Sequence, residues 1–292
     1  GSKIYSKGQE VKTYNLEKNG CLKVESLPMG TYELEETKTL NGLVLNDKKY
    51  EIKFEQEDLI KKVYEVNEDI SNDTTIFEFS KKDITGDNEL EGAKLQVIDE
   101  NGNIIDEWTS TKEPHIVNGL EENQKYKLVE ITAPYGYELT EEIEFVVTTD
   151  KETQLVEMKD MPILKDIKVI KIDSKTKEII KEKFSFGIYE DEECNNLIKE
   201  VKSSKADGYV VFEDLRYGTY YIKETKSPSG YELSDKIVKL EINDNGVLVD
   251  GTLIEEKDSV YCFEFENTEI GVPNTGDNRN PKIFIIISGL CG

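Results

Sequence analysis

Gly30–Leu45 reads GTYELEETKTLNGLVL, Gln124–Leu139 reads QKYKLVEITAPYGYEL and Gly218–Leu233 reads GTYYIKETKSPSGYEL. The glutamates that align in them, Glu36, Glu130 and Glu224, are separated by 94 residues each time. Two equal spacings with one shared pattern are the mark of an internal repeat, and they divide the chain into homologous units of about 90 residues, the small end of domain size. Length alone would suggest about two domains; the repeat gives three.

Each unit reads as β structure. Tyr126, Leu128 and Glu130 fall in one alternating phase, as do Phe77, Phe79 and Lys81 upstream of them. Turn signals such as Glu100-Asn101-Gly102-Asn103 and Asp207-Gly208 punctuate the runs, and no sustained apolar stripe has helical spacing. Short, regularly interrupted strands in a unit of this size imply an all-β sandwich. The connection Asp160-Met161-Pro162-Ile163-Leu164 is too short to act as a flexible tether, so the units should follow one another stiffly.

Composition excludes several functions. The 292 residues carry 61 acidic and 37 basic side chains, a net charge of −24. Such a polyanion repels nucleic acid, whose binding requires Lys and Arg against phosphate. Fifteen Tyr and ten Phe can fill cores, so the acidity belongs to a solvated surface and not to a disordered chain. Cys21, Cys194, Cys262 and Cys291 are far apart and His115 is the sole histidine, which argues against a zinc site or a thiol nucleophile. Cys194 and Cys262 could meet, but free thiols are the simpler expectation. No metal and no cofactor is expected.

The alternation also places charged residues where apolar ones belong. Lys81, not Lys82, shares a phase with Phe77 and Phe79, and Lys171 shares one with Ile167 and Val169. At the other end of each unit, Asp160 is in phase with Val156 and Met158, and Asn267 with Phe263 and Phe265. Each complete unit thus has an inward Lys on its first strand, an inward Glu in its middle, and an inward Asp or Asn on its last strand. Burial disfavours charge, so the Glu should be protonated and the Lys should lose its proton and become nucleophilic. A protonated Glu can then polarise the Asp or Asn carbonyl. The product is an isopeptide bond, with water leaving at Asp160 and ammonia at Asn267.

FSKKDITGDNELEGAKL (Phe79–Leu95) followed by YKLVEITAPYGYEL, and VIKIDSKTKE (Val169–Glu178) followed by YYIKETKSPSGYEL and FEFENTEIG, resemble the CnaB-type, or SpaA-type pilin, domains of Gram-positive surface proteins. The resemblance implies tandem reverse immunoglobulin-like β-sandwich domains with a Lys–Asn or Lys–Asp bond between first and last strands. Carried over by position, Lys81, Glu130 and Asp160 form one triad and Lys171, Glu224 and Asn267 another, with Glu130 and Glu224 promoting the bond. The boundaries expected are 1–72 for a truncated domain, 73–163 and 164–270 for two complete ones, and 271–292 for a partial sorting signal. In the truncated unit the alignment sets the lysine-bearing strand before Gly1. Asn67 of VYEVNEDI takes the acceptor position there, although its phase-mates are Val63 and Glu65 in place of two core residues. No bond is assigned to this unit, and Glu36 is a family position without a reaction to promote.

Val272-Pro273-Asn274-Thr275-Gly276 precedes the apolar Ile283–Leu290 and resembles the LPxTG signal that sortase cleaves between Thr and Gly. Val272 replaces the usual Leu, and no basic terminus follows. The apolar run is too short for a bilayer, which needs about 20 residues. The implied protein is extracellular and wall-anchored, a non-enzymatic stalk of an adhesin or pilin. Its partners would be sortase and a peptidoglycan precursor or pilus subunits. A pilin's acceptor lysine is not evident, Val11-Lys12 being a weak substitute for the usual motif. The alternative is a module that binds a host matrix protein or glycan through sandwich loops, although Trp108 lies on an alternating run that suits the core. A hydrolase would need two acids across a cleft, whereas the repeated acids occur one per unit and in apolar phase.

Overall fold

The computed structural model describes residues 5–16, 20–55, 66–148, 152–204 and 206–271. The Val272–Gly276 motif, the Ile283–Leu290 run and Cys291 lie outside them. Among the described residues every regular element is a strand, and the chain divides into two compact units at Pro162/Ile163.

The N-terminal unit holds β1 (Gly30–Leu34), β2 (Tyr50–Phe54), β3 (Ile76–Asp83), β4 (Lys94–Asp99), β5 (Ile104–Thr109), β6 (His115–Asn118), β7 (Lys125–Thr132), β8 (Ile143–Val146) and β9 (Gln154–Asp160). A three-stranded sheet, β6-β3-β9, faces a four-stranded one, β5-β4-β7-β8. Phe77, Phe79, Leu95, Val97, Leu128 and Met158 fill the space between, each the inward member of an alternating strand. Trp108 is partly buried against the same core, 5.5 Å from the Phe79 ring. The preceding β1 and β2 form only a two-stranded antiparallel sheet. It meets the sandwich where Leu43 bridges Thr74. There Gly42 has φ +79°, and a Cβ on it would lie 2.4 Å from the Gly119 carbonyl oxygen. Only glycine permits both that backbone and that approach.

The C-terminal unit holds β10 (Lys165–Asp173), β11 (Ser185–Tyr189), β12 (Leu197–Lys202), β13 (Tyr209–Leu215), β14 (Gly218–Lys226), β15 (Ile237–Asn243), β16 (Gly246–Val249), β17 (Thr252–Ile254), β18 (Glu256–Lys257) and β19 (Val260–Asn267). Sheet β13-β10-β19-β18 packs on β12-β11-β14-β15-β16-β17 around Ile167, Val169, Phe186, Phe212, Leu240 and Phe265.

One feature of the pairing positions the site. The first and last strands of each sandwich lie side by side and parallel, β3 on β9 and β10 on β19, whereas the other sandwich ladders among the described residues are antiparallel. Lys81 is opposite Met158, and Lys171 opposite Phe265. Asp160 and Asn267 are therefore the diagonal neighbours on the same face, a separation that a long side chain spans.

Candidate functional site

The polar and charged residues singled out by phase are buried. Lys81, Glu130, Asp160, Lys171, Glu224 and Asn267 all have at most 4% of their surface exposed. Each lysine and its Asp or Asn come from one sheet; the glutamate comes from the facing sheet, on β7 or β14.

In the N-terminal sandwich the Lys81 ammonium is in contact with Asp160 Oδ1 and lies 2.9 Å from Glu130 Oε1. Glu130 Oε2 accepts a hydrogen bond from the Thr140 backbone N–H at 2.8 Å, and the Thr140 hydroxyl donates to Asp160 Oδ1 at 2.6 Å. Asp160 Oδ2 has no hydrogen-bond partner among the described residues. Burial pushes the Glu130 carboxyl up, against the opposing pull of the Thr140 amide and the Lys81 ammonium. It is thus disposed to hold a proton.

In the C-terminal sandwich Lys171 Nζ lies 2.6 Å from Glu224 Oε1, with the rings of Phe265 and Phe186 at 4.1 and 4.6 Å. Burial pushes the lysine down to about 8, partly offset by Glu224. A substantial fraction of the amine is therefore neutral near physiological pH. Asn267 Nδ2 donates to Glu224 Oε2 at 2.9 Å and to the Glu232 carbonyl at 2.8 Å. Ser234 N–H donates to Glu224 Oε2 at 2.8 Å, the counterpart of Thr140. Asn267 Oδ1 has no partner among the described residues.

The first repeat departs from its sequence reading. Asn67 is exposed, and the residue that meets Glu36 is Asn72, whose Nδ2 donates to Glu36 Oε2 at 2.5 Å and to the Val44 carbonyl at 3.0 Å. Glu36 Oε2 also accepts from Asn46 N–H at 2.8 Å. These are the counterparts of the contacts among Glu224, Asn267, Glu232 and Ser234: the carbonyl and the backbone N–H lie at the same offsets past the glutamate, while the amide follows it by 36 residues instead of 43. The family position selects Asn67 against its own phase; the amide that reaches the glutamate lies in the other phase, with Val66 and Ile70.

The arrangement can perform an acyl substitution without any added group. The lysine ammonium sheds two protons by way of the glutamate, one before and one after Nζ attacks Cγ of the Asp or Asn; the Asp oxygen takes both and leaves as water, whereas the Asn Nδ2 takes one and leaves as ammonia, the other remaining on the glutamate. Among the described residues no cluster of His, Cys, Asp and Glu could hold a metal ion, and Cys21, Cys194 and Cys262 are in no disulfide. Asp99 accepts hydrogen bonds from the Asn101 and Asn103 backbone amides, which close the turn between β4 and β5.

A family model described as the SpaA prealbumin-like fold domain matches residues 2–69, 75–162 and 165–257. The chain belongs to the SpaA prealbumin-like domain family. Three matches follow the three repeats, and the tandem all-β sandwiches are the fold of that family. No curated protein sequence matches. Among solved structures, the Bacillus anthracis TIE protein has a TM-score of 0.57 at 22% identity, over 87% of this chain and 45% of that one. The chain thus spans under half of the TIE protein's length. A C-terminal fragment of the pilus adhesin SpaC from Lactobacillus rhamnosus GG gives 0.46 at 16% identity, over 68% of this chain and 98% of that one. A streptococcal ancillary pilin gives 0.31 at 17%, over 84% and 76%. The likeness to the TIE protein, at 22% identity, is one of fold.

Proposed function

We propose that this chain is part of the stalk of a surface adhesin or pilus subunit, a load-bearing protein that turns over no substrate. Its complete domains, 73–163 and 164–270, are closed by Lys81–Asp160 and Lys171–Asn267 isopeptide bonds, and residues 1–72 form an incomplete domain. Glu130 and Glu224 promote the two bonds. Residues 271–292 belong to a sorting signal in which sortase cleaves between Thr275 and Gly276, with wall precursor or pilus subunits as acceptors, outside the cell. The observation that carries the reading is the recurrence, in two sandwiches, of a buried lysine and a buried acyl acceptor on adjacent parallel terminal strands, with a glutamate from the opposite sheet beside both.

The bonds have a thermodynamic reason to form. An unreacted buried ammonium and carboxylate each carry a desolvation cost of several kcal/mol; amide formation removes both charges at Lys81–Asp160 and the ammonium at Lys171–Asn267. They also have a mechanical consequence. Tension entering at β3 passes through Lys81 to Asp160 and out of β9, so the residues between bear no load.

Single-molecule pulling tests this directly. With the bonds in place, stretching should release none of the contour length between Lys81 and Asp160 or between Lys171 and Asn267. Full extension of those segments would refute the stalk mechanism.

A further inference from the structure

We propose that Tyr137 and Tyr231 are positioning residues for the two crosslinks: each phenol occupies an aspartate, Asp83 or Asp173, that would otherwise hold the nucleophilic lysine in an ion pair and away from its acceptor. The inference rests on the crosslink reading above and adds to it the residue that keeps the lysine available.

Three observations support it. First, each aspartate is a competitor by position. Asp83 and Asp173 follow Lys81 and Lys171 by two residues in the same inward phase, about 7 Å along the strand, and are 8% and 5% exposed. The parallel register sets them directly opposite the acceptors, Asp83 against Asp160 and Asp173 against Asn267. Each lysine therefore has two partners within reach at the end of its strand, and in the C-terminal sandwich the competitor is charged while Asn267 is neutral.

Second, the aspartate oxygens are occupied. Asp83 Oδ1 accepts the Thr85 backbone N–H and hydroxyl, both at 2.7 Å, and Oδ2 accepts the Tyr137 hydroxyl at 2.8 Å. Asp173 Oδ1 accepts the Lys175 and Thr176 backbone N–H groups at 2.8 and 2.7 Å, and the Tyr231 hydroxyl donates to the same carboxylate. The Thr176 and Lys175 amides, with Tyr231 adding to them, hold the Asp173 carboxyl below the ordinary carboxylate range, so it stays an anion. The turn amides give the reason for an aspartate at this position, since it closes the turn after the first strand. The tyrosine then satisfies what the turn leaves over.

Third, the elements that build the site also place the phenol. In both complete domains the tyrosine follows the promoting glutamate by seven residues and precedes Thr140 or Ser234 by three. Its backbone bridges the chain two residues past the acceptor, Tyr137 to Pro162 and Tyr231 to Glu269, while its hydroxyl reaches the lysine strand. In the first repeat, to which no bond is assigned, this position is Leu43.

Only the neutral amine attacks, so an anion that stabilises the ammonium slows the step. The phenol forms no bond to the reacting atoms; it acts through the aspartate.

The full chain, made by cell-free translation and quenched in denaturant at intervals, reports both reactions by intact mass. Tyr137→Phe should slow water loss at Asp160, and Tyr231→Phe ammonia loss at Asn267, about tenfold, each leaving the other domain's reaction at the parent rate. Adding Asp83→Asn to the first variant, or Asp173→Asn to the second, removes the competing charge yet keeps an oxygen for the turn amides, and should bring the rate back to within about twofold of the parent. A tyrosine with a merely structural role would gain nothing from the second substitution. Parent rates in the single Phe variants, or no recovery in the double variants, overturn the inference and leave the crosslinks standing. A parent chain that sheds neither water nor ammonia overturns the crosslink reading, and the inference with it.

Discussion

The double substitution Lys81→Met with Asp160→Asn separates a covalent bond from a buried ion pair. It removes the nucleophile, keeps side-chain volume, and lets Glu130 take a hydrogen bond from the new amide as Glu224 does from Asn267. Were Lys81, Glu130 and Asp160 only a charge cluster, replacing its charges with neutral groups would be neutral or stabilising by about 1–4 kcal/mol. A bond between residues 79 positions apart instead restricts the unfolded chain, and its loss should cost about 4.5 kcal/mol by the loop-closure relation. For a domain of this size that is a fall in Tm of roughly 20–35 °C. Trp108 is the sole tryptophan and packs on Phe79 within the same sandwich, so its fluorescence reports this domain selectively during thermal unfolding. A variant that melts within about 4 °C of the parent, a difference of 1 kcal/mol or less, would refute the covalent account.

Three further outcomes are expected. In an Asn267→Ala protein Lys171 stays an unreacted amine held near 8 when folded and near 10.5 when unfolded. Between those values the unfolded state binds the extra proton, so stability should rise with pH, by up to about 3 kcal/mol; denaturant titrations at pH 7.5 and pH 10.5 that give equal midpoints would contradict this. Thr140→Val keeps the backbone N–H to Glu130 but removes the hydroxyl donated to Asp160, and should slow water loss at Asp160 about tenfold while leaving ammonia loss at Asn267 unchanged in timed mass spectra. Gly42→Ala places a methyl against the Gly119 carbonyl at a φ of +79° and should destabilise the Leu43–Thr74 junction by about 1–3 kcal/mol, seen as faster proteolysis between residues 30 and 75; unchanged proteolysis would contradict that.

Alternation alone distinguished Lys81 from Lys82 and set all six residues of the two complete triads on inward faces, because a strand with one buried face makes phase and burial the same variable. Tandem sandwiches were legible for the same reason. The parallel contact between terminal strands was not, since periodicity says nothing about which strands are neighbours; it entered only through the family resemblance. Thr140 gave no signal, because its contribution is a backbone N–H and a hydroxyl on a loop with no period. Asn72 gives no such signal because residues 66–72 form no strand: with Val66 and Ile70 exposed, the residues around it are not selected for one face. The signal that could have found it is the spacing to the following lysine, nine residues from Asn72 to Lys81 against eleven from Asp160 to Lys171.

The mass of the intact, fully denatured chain bears most directly on the central claim. Self-formed Lys81–Asp160 and Lys171–Asn267 bonds require it to be lighter than its sequence by one water and one ammonia, with the water restored in Glu130→Ala and the ammonia in Glu224→Ala. A wild-type mass equal to that of the sequence would contradict the account.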